Sequence, residues 1–100
     1  MMEHITITSY APKLRKKDRY LIDRESRYTH GIKTTLAQEG TSILCINRYG
    51  SISQATTALE RYLRGQKKLT KEDFVIVELN LNVDQYVVAD ASDPLPNKED

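Results

Sequence analysis

The chain has 100 residues, and its hydrophobic (39%) and charged (29%) fractions describe one globular domain on the polar side. Its longest apolar runs, such as Phe74-Val75-Ile76-Val77, fall far short of the roughly 20 residues a membrane helix needs, and Met1-Met2-Glu3-His4 opens no secretory pattern. A formal net charge of +1 hides an asymmetry: residues 1–71 hold 14 Lys and Arg against 6 Asp and Glu, whereas residues 72–100 hold 1 against 8.

Residues 3–10 alternate, with Ile5 and Ile7 against Thr6 and Thr8, which predicts a half-buried strand closed by Pro12. Residues 13–28 admit two readings. Leu14, Leu21 and Tyr28 recur every seven residues and fit a helix with a basic outer face. Residues 18–23 equally fit a short strand inside a basic loop. Ile32, Leu36 and Ala37 have helical spacing and Gly40 is a left-handed stop, so a short helix is expected over residues 29–40. Residues 42–46 are a compact apolar run between Gly40 and Gly50. They predict a central strand buried on both faces, with Cys45 as an inert core thiol.

Ser51 followed by Gln54 is a capping-box pattern, and Ala55, Leu59, Tyr62 and Leu63 mark one apolar stripe. A helix is expected over residues 51–64, ended by Gly65, with Arg61 and Arg64 in its last turn, where cations suit the helix dipole. Thr70 and Asp73 cap a brief further turn. Residues 74–83 alternate over a long strand whose second face turns polar halfway. Asp84-Gln85 is read as a turn and residues 86–89 as a return strand. Residues 92–100 hold two prolines and four charges and read as a disordered tail. The fold class is therefore α+β: a single domain over residues 1–91, with a mainly antiparallel sheet of about four strands packed by one or two helices.

Catalytic signals are sparse. His4, His30 and Cys45 are the only histidines and the only thiol, so neither a disulfide, a transition-metal site nor any cofactor is expected, and the compartment is read as the reducing cytoplasm. Tyr49-Gly50-Ser51, with Arg48 beside it, precedes a helix N-terminus and offers amides to an anion, although the glycine is already explained by a tight turn. His30 is a candidate general base, but a surface or turn role explains it more simply. Tyr28-Thr29-His30-Gly31, then Tyr49-Gly50-Ser51 leading into a helix, resembles the element order of ADP-ribosyltransferases of the histidine–tyrosine–glutamate type. That resemblance implies an NAD-dependent enzyme. His30 would hold the nicotinamide ribose, Tyr49 would stack on nicotinamide, and Glu78 would be the catalytic acid.

Charge carries the broader expectation. Lys13, Arg15, Lys16, Lys17, Arg19, Arg24, Arg27 and Lys33 are interleaved with Tyr20 and Tyr28; Arg61, Arg64, Lys67, Lys68 and Lys71 form a second cluster, and Arg48 is a further candidate contact. Cations release counterions from phosphates and tyrosines stack on bases, so DNA or RNA binding is one reading. A small non-enzymatic protein of inhibitor or adaptor type, using the same basic face on an acidic or nucleoprotein partner, is the other and the preferred one. No membrane partner is expected, and a homodimer through an edge strand is open. The bland reading is that the two halves of the chain neutralise each other in the fold, or that these are ordinary solvated faces. If the face is purely a contact surface, glutamate at positions 15, 16, 17 and 19 should leave the melting temperature unchanged.

Overall fold

The computed structural model describes residues 2–28 and 30–92. Its elements are strands β1 (Met2–Leu14), β2 (Leu21–Glu25) and β3 (Ile32–Leu36), helix α1 (Ile52–Arg64), a 3-10 turn (Lys71–Asp73) and strand β4 (Phe74–Tyr86). The two long alternating segments lie near opposite ends of the chain and pair with each other. β1 runs antiparallel to β4 in one unbroken register from Met2↔Tyr86 to Leu14↔Phe74. The short strands form a second two-stranded antiparallel sheet, from Leu21↔Leu36 to Glu25↔Ile32. The α+β class, with its mainly antiparallel strands and single α-helix, is therefore seen.

Side chains alternate across a strand, so each face of the β1–β4 ribbon has its own cover. At the inner end both faces are buried. On one, Leu14, Phe74 and Ile76 pack with Leu21 and with Leu59, Tyr62 and Leu63 of α1. On the other, Ala11, Val77 and Leu79 pack with Tyr20, Ile43 and Ile46. Further out nothing in the described chain covers the ribbon, and residues 2–8 and 82–86 are exposed. There one face stays apolar, through Ile5, Ile7, Leu81 and Val83. The opposite face is a ladder of cross-strand hydrogen bonds. Thr6 donates to Asn82 at 3.0 Å, Thr8 donates to Asn80 at 2.8 Å, Tyr10 donates to Glu78 at 3.2 Å, and His4 meets Asp84 at 2.8 Å.

α1 forms where its caps predict. The Ser51 hydroxyl accepts from the Gln54 amide at 3.1 Å, and the Gln54 side chain reaches back to the amide of Gly50 at 3.0 Å. Ala55 and Leu59 are its buried positions. The Thr70–Asp73 turn also forms, with the Thr70 amide donating to Asp73 at 2.8 Å.

Four expectations fail, each for a physical reason. Pro12 does not close the first strand. In the β1–β4 register the even positions of β1 point their amides away from β4, as the Tyr10 amide donating to the Tyr49 carbonyl at 2.8 Å shows, so a missing N–H there costs no ladder bond. Residues 32–36 are a strand rather than part of a helix, because their backbone pairs with β2. Gly40 is left-handed (φ +85°) but turns a loop; Thr29 lies outside the described residues. Residues 42–46 are a turn, with the Cys45 amide bonded to the Ser42 carbonyl at 2.9 Å. Ile43 and Ile46 face the core, whereas Leu44 is 69% exposed and Cys45 is exposed. Residues 86–89 make no return strand, because the chain does not turn at Asp84-Gln85: β4 runs straight on to Tyr86, which pairs with Met2 of β1. Of the two readings of residues 13–28, the strand is found, over Leu21–Glu25. The tail beyond Ser92 lies outside the described residues.

Leu21 is fully buried and Leu59 is 2% exposed, whereas Ile52 is 59% exposed. In urea titrations, Leu21→Ala and Leu59→Ala each lower stability by about 2–5 kcal/mol, and Ile52→Ala changes it by less than about 1 kcal/mol. Equal losses at all three sites would contradict this core.

Candidate functional site

The concave site lies between the β2–β3 hairpin and α1. It is a cleft of about 660 Å³. Asp23 and residues 32–35 form one wall. Ala58, Arg61 and Tyr62 of α1, continued by Gly65 and Gln66, form the other, and Tyr49 contributes between them. The helix wall follows from spacing: positions 58, 61, 62 and 65 fall on one face. Lys33 and Arg61 thus bring a cation to each wall, one from each basic cluster of the sequence.

The cleft holds two cations, Lys33 and Arg61, and one carboxylate. That carboxylate, Asp23, accepts from Thr34 Oγ1 at 2.7 Å and from Asn47 Nδ2 at 2.8 Å. Asn47 Nδ2 also reaches the Tyr49 hydroxyl at 3.4 Å. The Tyr62 ring stands edge-on to Phe74, with centroids 6.3 Å apart. Its burial raises the pKa above the usual tyrosine value, against the pull of Arg19, so its hydroxyl stays a neutral donor. No histidine or cysteine lines the cleft.

The sequence-predicted cations divide into two sets. Lys13 Nζ donates to the Leu14 carbonyl at 2.9 Å, and Arg19 Nε donates to the Ala37 carbonyl at 2.8 Å. Arg15 bonds the carbonyls of Glu72 at 3.2 Å and Phe74 at 3.4 Å. These three tie the backbone together, so glutamate at positions 15 and 19 lowers the melting temperature, contrary to the expectation from sequence. Tyr20 is buried in the core rather than on a contact face. The side chains of Lys16, Lys17, Arg24, Arg27, Lys33, Arg61, Arg64, Lys67 and Lys68 are exposed and make no hydrogen bond or ion pair among the described residues. Arg48 is half-buried beside Tyr49, and Tyr28 is 96% exposed in the hairpin turn. Among the described residues, Lys71 pairs with Glu60 at 3.9 Å, and His4 Nδ1 lies in hydrogen-bond contact with Asp84 at 2.8 Å. Glu72 and Asp73 of the acidic half border the same hollow as Arg15, Lys16 and Lys17, whereas Glu78 and Asp84 lie out on the ribbon.

His30, Tyr49 and Glu78 are held in different places. His30 sits in the hairpin turn at φ 54°, a left-handed value that histidine tolerates better than most residues. It borders a small hollow with Arg24 and Glu25, while Tyr49 belongs to the cleft. Glu78 accepts from Tyr10 and from Asn80 Nδ2 on the ribbon. Among the described residues, no three of His, Cys, Asp and Glu gather as a metal site, and no helix is long and apolar enough to cross a membrane. Sequence reading missed Ile32, Thr34, Thr35, Tyr62 and Gln66 as cleft residues. The one available signal was the Ala58, Arg61, Tyr62, Gly65 spacing on α1. Comparison with protein families, curated proteins and solved structures finds no match for this chain.

Glu78 raises the Tyr10 pKa, first by accepting its hydroxyl hydrogen and then by its charge. The bond therefore holds while the phenol is protonated and is lost as pH rises through that raised value. In a carbon-13 tyrosine NMR titration, Glu78→Gln moves the Tyr10 pKa down toward the ordinary value; an unmoved titration means the bond is absent in solution.

Proposed function

We propose that this chain is a non-enzymatic binding module whose cleft between the β2–β3 hairpin and α1 takes an acidic segment of a partner protein. The observation that carries this reading is a half-apolar cleft with Lys33 and Arg61 on its two walls, both exposed and without a side-chain partner among the described residues. A carboxylate entering there gains two charge-assisted contacts and the Tyr62 hydroxyl. The residues beside the cations favour a polypeptide over nucleic acid. Ile32 is 76% exposed next to Lys33 and offers an apolar contact that a sugar–phosphate backbone does not use. Exposed tyrosine and arginine are also the residue types that dominate protein interfaces. In this reading the chain works in the cytoplasm, where an exposed Cys45 stays reduced.

The test is fluorescence anisotropy at about 50 and 200 mM salt, conditions over which phosphate contacts weaken steeply. The probes are a labelled peptide of Glu, Asp and Leu, and single- and double-stranded DNA and RNA. The peptide binds more tightly than the nucleic acids. Lys33→Glu with Arg61→Glu weakens it at least about tenfold with an unchanged melting temperature. Preferred binding of a nucleic acid transfers the basic face to the nucleic-acid reading, and no binding of either overturns the cleft as a site.

A further inference from the structure

The second unexplained surface is the ribbon, and its free backbone edge is the informative part. In the β1–β4 register, odd residues of β4 bond to β1, so the amides and carbonyls of even residues point to the other edge. Those of Ile76, Glu78, Asn80, Asn82 and Asp84 meet no backbone partner among the described residues. The corresponding edge of β1 is partly closed by Tyr49 and Tyr20. Natural proteins protect such edges with proline, lysine or a bulge, and β4 has no proline, no lysine and an unbroken register.

Charge points to the occupant. Residues 2–8 and 76–86 contain Glu3, Glu78 and Asp84 and no lysine or arginine. Residues 13–73 contain 14 Lys and Arg against 7 Asp and Glu. The molecule is thus basic at the body and acidic along the arm. A second copy laid antiparallel sets each acidic arm beside the other copy's basic body, which a parallel arrangement does not do. We infer that β4 pairs antiparallel with β4 of a second copy, joining two ribbons into a continuous four-stranded sheet.

The strand's own sequence selects the register. With Leu79 facing Leu79 on the two-fold axis, Val77 meets Leu81 and Val75 meets Val83, so one face is apolar throughout. Glu78 meets Asn80, an acceptor beside a donor. Asp84 of each copy comes to Phe74 of the other, whose carbonyl is already held by the Arg15 guanidinium. Centring on Leu81 instead would set Glu78 against Asp84, a like-charge pair that destabilises a sheet. The pairing satisfies the open amides and carbonyls and lengthens the two-stranded ribbon into a sheet wide enough for independent stability.

Sedimentation velocity on the full chain, from about 10 to 200 µM, tests the proposal. The expected mass at the upper end is twice 11.5 kDa, and raised salt weakens the dimer because part of the attraction is between exposed charges. Asn80→Pro removes an outward amide and leaves the β1 bonds in place, so it gives a folded monomer. A second measurement guards against misfolding of that variant. At the two-fold, Leu79 lies in a non-hydrogen-bonded pair, with Cα atoms about 4.5 Å apart, within disulfide reach. In a Cys45→Ser background, Leu79→Cys cross-links on mild oxidation. Val83→Cys, on the same face but opposite Val75, does not. A wild-type monomer at 200 µM, a dimer that survives Asn80→Pro, or a dimer that fails to cross-link at position 79 overturns the proposal. None of these results depends on what the cleft binds.

Discussion

The antiparallel pairing of β1 with β4 is the constraint on which the rest of the structure depends. It joins Leu14 to Phe74 and Met2 to Tyr86, so everything from Arg15 to Asp73 is one excursion that leaves the ribbon and returns to its inner end. Closing so long a loop costs entropy, but the cost grows only logarithmically with length. The repayment is local: Ala11, Leu14 and Phe74 are all buried where the excursion starts and finishes. Because both faces of the ribbon are covered there, the hairpin and α1 are held against one end, and the cleft between them is a consequence of that attachment.

Elements with local causes were legible in the residues. Ser51, Gln54 and the Ala55–Leu59 spacing specify α1 without reference to the rest of the chain. The alternation of residues 74–83 specifies a strand in the same way. Its partner was not legible, because no local pattern says that Val83 faces Ile5 rather than a neighbour across a turn at Asp84. Pro12 misled because the effect of a proline depends on which edge of the strand its nitrogen faces, and that is set by the pairing. Residues 32–36 misled because Ile32, Leu36 and Ala37 suit either period over so short a span. The run at 42–46 misled because hydrophobicity does not give direction: Ile43 and Ile46 turn inward while Leu44 turns out.

The candidate site was legible as charge and illegible as geometry. Counting cations identified the two clusters that Lys33 and Arg61 bring to the cleft. It could not show that Arg15, Arg19 and Lys13 are consumed by backbone carbonyls, since carbonyl positions come from the fold alone. Tyr20 and Tyr28 look alike in sequence, yet one is 7% and the other 96% exposed. The difference lies in strand parity and loop position. Thr34 and Asn47 matter for a similar reason. Their bonds to Asp23 engage the one carboxylate in a cleft that also holds Lys33 and Arg61, and that three-residue arrangement spans β2, β3 and the loop before α1.

A near-neutral net charge and a strongly polar charge layout coexist because the ribbon is stiff in its own register. A strand rises about 3.3 Å per residue, so Thr6 stands roughly 26 Å beyond Leu14 along β1. Interactions between exposed charges fade over about 8 Å at physiological salt. The carboxylates of Glu3 and Asp84 are therefore beyond the reach of the cations around Arg61, whatever their number. The hydrogen-bonded ladder on the polar face keeps the two outer strands in step and holds that separation. Among the described residues an excess of positive charge thus stays on the body, offset only in part by Glu72 and Asp73.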